Sequence, residues 1–174
     1  RPSEDAILAG RTVDRVIRPL FDQRFRRDIQ VVVTVLQYDE ENDPDIPALV
    51  ASSLALALSD IPWDGPIAGI RVGKSGDAFI ANPTYQERMT GTLDVAIAGT
   101  EQHINMLEAG AQEISEEEFA QAVEWGFKFF HDLIEFQNSV IKDQGRAKKK
   151  VALLETPEGM KKLLKKEFSD RLEG

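Results

Sequence analysis

The chain has 174 residues, no cysteine and a formal charge of −9, with 42% hydrophobic and 29% charged residues. That composition describes one folded domain, or one domain with an appended segment, rather than a disordered chain. It excludes disulfides, thiolate nucleophiles, iron–sulfur clusters and cysteine zinc sites, and no run of about eighteen apolar residues is present to span a bilayer.

The first element reads as a helix from Ser3 to Leu20. Ser3 is the candidate cap, Glu4 and Asp5 suit the positive end of the helix dipole, and Pro19 is compatible with termination. At 100° per residue Ala6, Ala9, Val13, Val16, Ile17 and Leu20 share one face, and Arg11, Arg15 and Arg18 fall together on the opposite one. Ile7 and Leu8 lie off the apolar stripe, so the helix is expected to be covered on more than one side. Ile29 to Leu36 (IQVVVTVL) is apolar at nearly every position and rich in β-branched residues, which predicts a strand buried on both faces. After the turn-rich stretch DEENDPDIP, a second helix is expected from Pro47 to Leu58, small and apolar all round and therefore central. Ile67–Val72 and Ala78–Ile80 predict a hairpin around residues 73–77. Thr92–Ala98 and Ile104–Ala109 predict two further strands joined through Gly99-Thr100-Glu101. Ser115 and Glu118 form a capping box opening one helix that runs to Ile141, with Phe119, Val123, Phe127, Phe130 and Ile134 on one stripe. Residues 143–150 read as a basic linker, and Thr156-Pro157-Glu158 starts a last, lysine-rich helix.

Few residues suggest catalysis. His103 and His131 sit in different elements without metal-ligand spacing and read as a turn or strand residue and a helix-surface residue. Gly73-Lys74-Ser75 lacks the P-loop's first glycine, since Ala68 stands there, and its context is strand–turn–strand. Asp39, Glu40, Glu41, Asp43 and Asp45 cluster in a loop without the spacing of a calcium loop, so that a metal-dependent nuclease there has little support. Asp94, inside a strand, needs a partner if it faces inward.

The arginine face is the strongest chemical signal. A guanidinium stays charged and grips phosphate through two hydrogen bonds at once. Asp14 can pair with Arg18 at i+4 and Arg11 at i−3, but one aspartate cannot satisfy three arginines, which leaves at least Arg15 for another anion. The charge distribution permits a polyanion despite the net charge: residues 1–27 carry +3 and residues 142–174 carry +4, against −16 between them.

The strings RPSEDAILAGRTVDRVIRPLF, ENDPDIPALVASSLALALSDIPWDGPI, LDVAIAGTEQHINMLEAGAQEISEEEF and LIEFQNSVI resemble, in order, the first RNase PH-like domain of the bacterial polynucleotide phosphorylase family. The resemblance covers residues 1–141. It implies an α/β (α+β) fold, a mixed RNase PH-like sheet with packed helices over 1–145, and a linker and the start of an all-helical module over 146–174. It further implies 3′-to-5′ phosphorolysis of single-stranded RNA by inorganic phosphate, releasing nucleoside diphosphates with Mg2+ assisting, in a cytoplasmic homotrimer without membrane attachment. The phosphorolytic site belongs to the family's second RNase PH-like domain, so no catalytic residue or metal ligand is expected here. Arg11, Arg15 and Arg18 match family arginines that hold RNA phosphates. Val16 stands where the family usually has proline, which should make the helix more regular. The chain starts after the family's channel loop and N-terminal strands, so it is expected to be a piece of a longer protein, with exposed sheet edge and either self-association or an accompanying fragment to cover it. The alternative is a stand-alone, catalytically inactive assembly subunit.

Overall fold

The computed structural model describes residues 3–172 as a mixed α/β fold. Helix α1 (Glu4–Ile17) is capped by the Ser3 hydroxyl, which accepts from the Ala6 amide at 3.2 Å. It passes into one 3-10 turn at Arg18–Leu20, where Pro19 cannot continue the α-helical ladder. With valine at position 16, α1 is uninterrupted. Only its second half is packed: Val13, Val16 and Ile17 are buried, whereas Ile7 and Leu8 are 47% and 58% exposed. Among the described residues, the expected second cover leaves those two side chains largely open.

Residues Ile29–Leu36 form no strand. A strand needs a partner ladder, and among the described residues no strand lies beside this segment. It runs extended over the core, with Ile29 and Val31 packed on it while Val32 and Leu36 are 74% and 92% exposed. Helix α2 (Asp45–Leu58) starts two residues before Pro47. It is not buried all round: Ile46, Leu49, Ser52, Ser53, Leu56 and Ala57 face inward, and Pro47, Ala51 and Ala55 face out.

Strands β1 (Ala68–Ser75) and β2 (Ala78–Ala81) make the expected hairpin, turned at Gly76, whose φ of +58° suits glycine. A short helix α3 (Tyr85–Thr90) follows, then β3 (Leu93–Gly99) and β4 (Ile104–Ala111). All pairings are antiparallel, in the order β2-β1-β3-β4.

The Ser115 cap opens helix α4 (Glu116–Phe127), but the single long helix expected is broken, and α5 (Phe130–Gln144) starts after a turn closed by the Phe129 amide on the Gly126 carbonyl. Trp125, Phe127, Phe129 and Phe130 all pack on the core; at 100° per residue one continuous helix would spread them around its circumference. The break lets the Trp125 and Phe129 rings meet at 4.9 Å and Phe127 and Phe130 at 5.0 Å.

Strand alternation sorts the core into two layers. Ile70, Val72, Val95 and Ile97 face α4 and α5. Gly69, Ala98 and Met106 lie on the other face, where Leu49 of α2 reaches within 3.0 Å of a Cβ placed on Gly69. Beyond α5, residues 146–155 are strapped to the body. The Arg146 and Lys149 amides donate to the Leu58 and Asp60 carbonyls, and the Leu154 amide to the Arg24 carbonyl. Lys148 Nζ donates to the carbonyls of Leu56, Ala57 and Ser59 at 2.8–2.9 Å, closing the C-terminus of α2 with a cation. The last helix, α6 (Glu158–Leu172), begins at Glu158 as expected. Among the described residues, no helix is long and apolar enough to cross a membrane.

Candidate functional site

Two hydrogen bonds, one buried and one half-buried, fix how α1 is turned. Trp63 Nε1 donates to the Ile17 carbonyl at 3.0 Å and Asn105 Nδ2 to the Val16 carbonyl at 3.1 Å. With Val13, Val16 and Ile17 held inward, Arg11, Arg15 and Arg18 all stand on the exposed side. The structure therefore brings the three sequence-predicted residues together on one surface.

Their pairing differs from the expectation. Asp14 is taken by Arg18 alone, with Nε to Oδ2 at 3.0 Å and Nη2 to Oδ1 at 2.7 Å. Arg15 is not free of carboxylates: its Nη2 lies 3.5 Å from Glu108 Oε2 on β4. Arg11 has no ion-pair partner among the described residues. The difference arises because β4 brings Glu108 beside α1 through a sequence separation of 93 residues, beyond any helical spacing rule. Both pairs are well exposed and worth about 0.2–1 kcal/mol each, so an incoming phosphate can replace either carboxylate.

Beside α1 lies an open cleft of about 1550 Å³, lined by α1, by residues 21–35 and by the sheet. Its floor follows from register: Arg71, Ala96 and Glu108 form one row across β1, β3 and β4. Arg71 belongs to a half-buried charge cluster. Its Nη1 lies 3.1 Å from Asp94 Oδ1 and its Nη2 3.3 Å from Asp43 Oδ2, while Arg88 on α3 reaches Asp43 at 2.6 Å and Asp94 at 2.8 Å. Asp45 sits at the edge of this cluster, 3.9 Å from Arg71, and burial followed by the neighbouring Asp43 charge pushes its carboxyl up. The inward acid in the strand, Asp94, thus has two cationic partners.

Sequence reasoning missed α3 and this cluster. A signal existed in Thr84-Tyr85-Gln86-Glu87, a capping box in which the Thr84 hydroxyl accepts from the Glu87 amide and Glu87 accepts from the Thr84 amide. The acids Asp43 and Asp94 are committed to guanidinium groups, so they do not fit a divalent cation without losing both arginine contacts. Among the described residues no group of three or more histidine, aspartate or glutamate side chains is arranged to hold a metal. The histidines stay apart: His131 Nδ1 lies 2.7 Å from Glu101 Oε1 on the surface, and His103 is exposed in the β3–β4 turn. Lys74 pairs with Glu118.

Comparison with known proteins gives concordant matches. Residues 1–62 match the 3′ exoribonuclease family, domain 1, and residues 65–128 match domain 2 of that family. The chain is 46% identical over 148 residues to a polyribonucleotide nucleotidyltransferase of Exiguobacterium sibiricum, covering 85% of this chain and 20% of the relative. It is 42% identical over 172 residues to one from Streptococcus thermophilus, covering 99% and 23%, and 47% identical over 148 residues to one from Thermus thermophilus, covering 85% and 21%. The chain thus spans about a fifth of the length of these relatives. Among solved structures, rice (Oryza sativa) Rrp46 superposes with a TM-score of 0.51 at 17% identity, covering 58% of this chain and 48% of that one, which supports an RNase PH-like fold.

Proposed function

Because the chain belongs to the 3′ exoribonuclease family, we propose that it is the RNA-gripping and ring-forming part of a 3′-to-5′ phosphorolytic polyribonucleotide nucleotidyltransferase. The observation that carries this reading is the row of exposed guanidinium groups on a helix whose opposite face is locked into the core. Phosphates of an extended strand meet Arg11 directly and exchange with the Glu108 and Asp14 carboxylates at Arg15 and Arg18. Such contacts set position and affinity without reading bases.

In the longer enzyme, a phosphate oxygen attacks the phosphorus of the 3′-terminal linkage, the neighbouring 3′ oxygen leaves, and a nucleoside diphosphate is released; Mg2+, when bound in that enzyme outside this chain, would supply charge neutralisation. Residues 1–145 serve as RNA-binding scaffold of a cytoplasmic homotrimer, residues 146–174 begin a helical module, and the phosphorolytic residues lie in another domain.

Binding of a fluorescent single-stranded RNA across a salt series tests the RNA-binding part. Arg15→Glu weakens binding alike for different sequences and flattens the salt dependence, whereas unchanged affinity at low salt overturns the role of this face. The chain incubated with RNA, phosphate and magnesium is expected to release no diphosphates, and clear release would sink the placement of chemistry elsewhere.

A further inference from the structure

Strand β4 changes face in its first three residues. Strict alternation would set Ile104 and Met106 on one side of the sheet, yet Ile104 packs with the layer that holds α4 and α5 and Met106 with the layer that holds α1 and α2. The register gives the cause. Gly99 pairs with Ile104 and Ala98 with Met106, so Asn105 is an extra residue without a partner in the ladder, a β-bulge. Glycine at 99 admits it, because a Cβ there would run into the His103 carbonyl oxygen and stand 2.9 Å from Ile104 Cα. The slip brings the Asn105 side chain to α1, where its Nδ2 donates to the Val16 carbonyl at 3.1 Å.

That carbonyl lies where α1 is weakest. Pro19 has no N–H to give to the Arg15 carbonyl, so the α-helical ladder stops in the turn that carries Arg15 and Arg18. The next two carbonyls, of Val16 and Ile17, are held by side chains from remote parts of the chain, Asn105 and Trp63. Trp63 also fills the core, whereas the Asn105 side chain makes no other hydrogen bond among the described residues and is a poor strand former. We infer that Asn105 is a positioning residue for the phosphate-gripping face: the bulge aims its amide at the interrupted turn of α1, and the amide fixes the direction in which Arg15 and Arg18 leave the helix. The inference rests on the RNA reading above and adds that the sheet, as well as helical spacing, sets the grip. Glu108 lies three residues further along β4, so one strand both orients this turn and holds Arg15 until phosphate arrives.

A double-mutant cycle on single-stranded RNA binding to the 174-residue chain, read across a salt series, tests this. Asn105→Leu keeps the volume and removes the donor. It is expected to bind about three- to tenfold more weakly at low salt, with a shallower salt dependence, because fewer phosphates are met together. Arg15→Gln is expected to weaken the parent several-fold and the Asn105→Leu chain clearly less, since Arg15 is already out of place there. Trp63→Phe, which keeps a ring in the core and removes the second donor, is expected to repeat the pattern. Asn105→Leu binding like the parent while Arg15→Gln weakens it overturns the inference and leaves the RNA reading standing. So does a loss that adds in full to that of Arg15→Gln with an unchanged salt slope, the mark of a merely structural role. If Arg15→Gln itself changes nothing, the RNA reading falls and this inference with it.

Discussion

Arg71 and Asp94 face each other diagonally across the β1–β3 ladder, and Asp94 at the same time accepts from Arg88 at 2.8 Å. One strand carboxylate therefore ties the sheet to α3. Arg71, Arg88 and Asp94 side chains are 14%, 22% and 25% exposed, dry enough for the loss of one partner to be felt. Asp94→Ala leaves two guanidinium groups sharing Asp43, and is expected to cost about 1–3 kcal/mol of stability. Chemical denaturation measures this; a midpoint like the parent's would mean that water replaces Asp94 without penalty.

A Cβ at Gly126 would stand 2.6 Å from Val72 Cγ2, 2.9 Å from Ile97 Cδ1 and 3.3 Å from Ile70 Cγ2, all on the sheet face beneath α4. Gly126→Ala is expected to destabilise by about 1–3 kcal/mol despite alanine's better helix propensity, because overpacking a buried contact outweighs a gain of about 1 kcal/mol. Thermal or urea unfolding shows the sign.

His131 carries the pH dependence that is simplest to follow. The hydrogen bond that the ring donates to the Glu101 carboxylate, and then that carboxylate's charge, raise the imidazole above its ordinary 6.5. A raised folded-state value means that the contribution is fully present below pH 6.5 and fades as pH climbs through the folded value. An NMR titration of the ring is expected to show the upward shift in the parent and its loss in Glu101→Gln, with little change in overall stability for so exposed a pair.

Asp14→Asn tests whether Arg18 is held in reserve for phosphate. The substitution frees the guanidinium and removes one negative charge from the RNA face, so single-stranded RNA should bind about two- to threefold more tightly at low salt. Weaker binding would show that Asp14 instead holds Arg18 in its working position.

Local pattern carried most of the fold. The β1–β2 hairpin, β3, β4 and the caps at Ser3 and Ser115 are recorded in alternation and capping chemistry within a few residues of one another. The same locality explains the misreadings. IQVVVTVL has the composition of a buried strand, but whether it pairs depends on what lies beside it, which composition does not encode. Periodicity carried the helix over residues 125–130, where the rings of Trp125, Phe127, Phe129 and Phe130 all pack on the core and one unbroken helix could not seat them. At the candidate site the row Arg11–Arg15–Arg18 was legible because helical spacing alone creates it. Glu108 opposite Arg15, and Arg71 and Arg88 around Asp94, arise from strand register and chain reversal, and no local spacing announces them.

The Lys148 ammonium spends all three of its protons on the carbonyls at the end of α2, and Glu155 holds Arg24 a few residues further on. Past the second mooring only residues 156–157 separate the strapped chain from α6, a leash too short to let the helix sweep the full sphere that an unbound linker would permit. Its lysines, Lys161, Lys162, Lys165 and Lys166, are thereby kept at high effective concentration around one end of an otherwise acidic body.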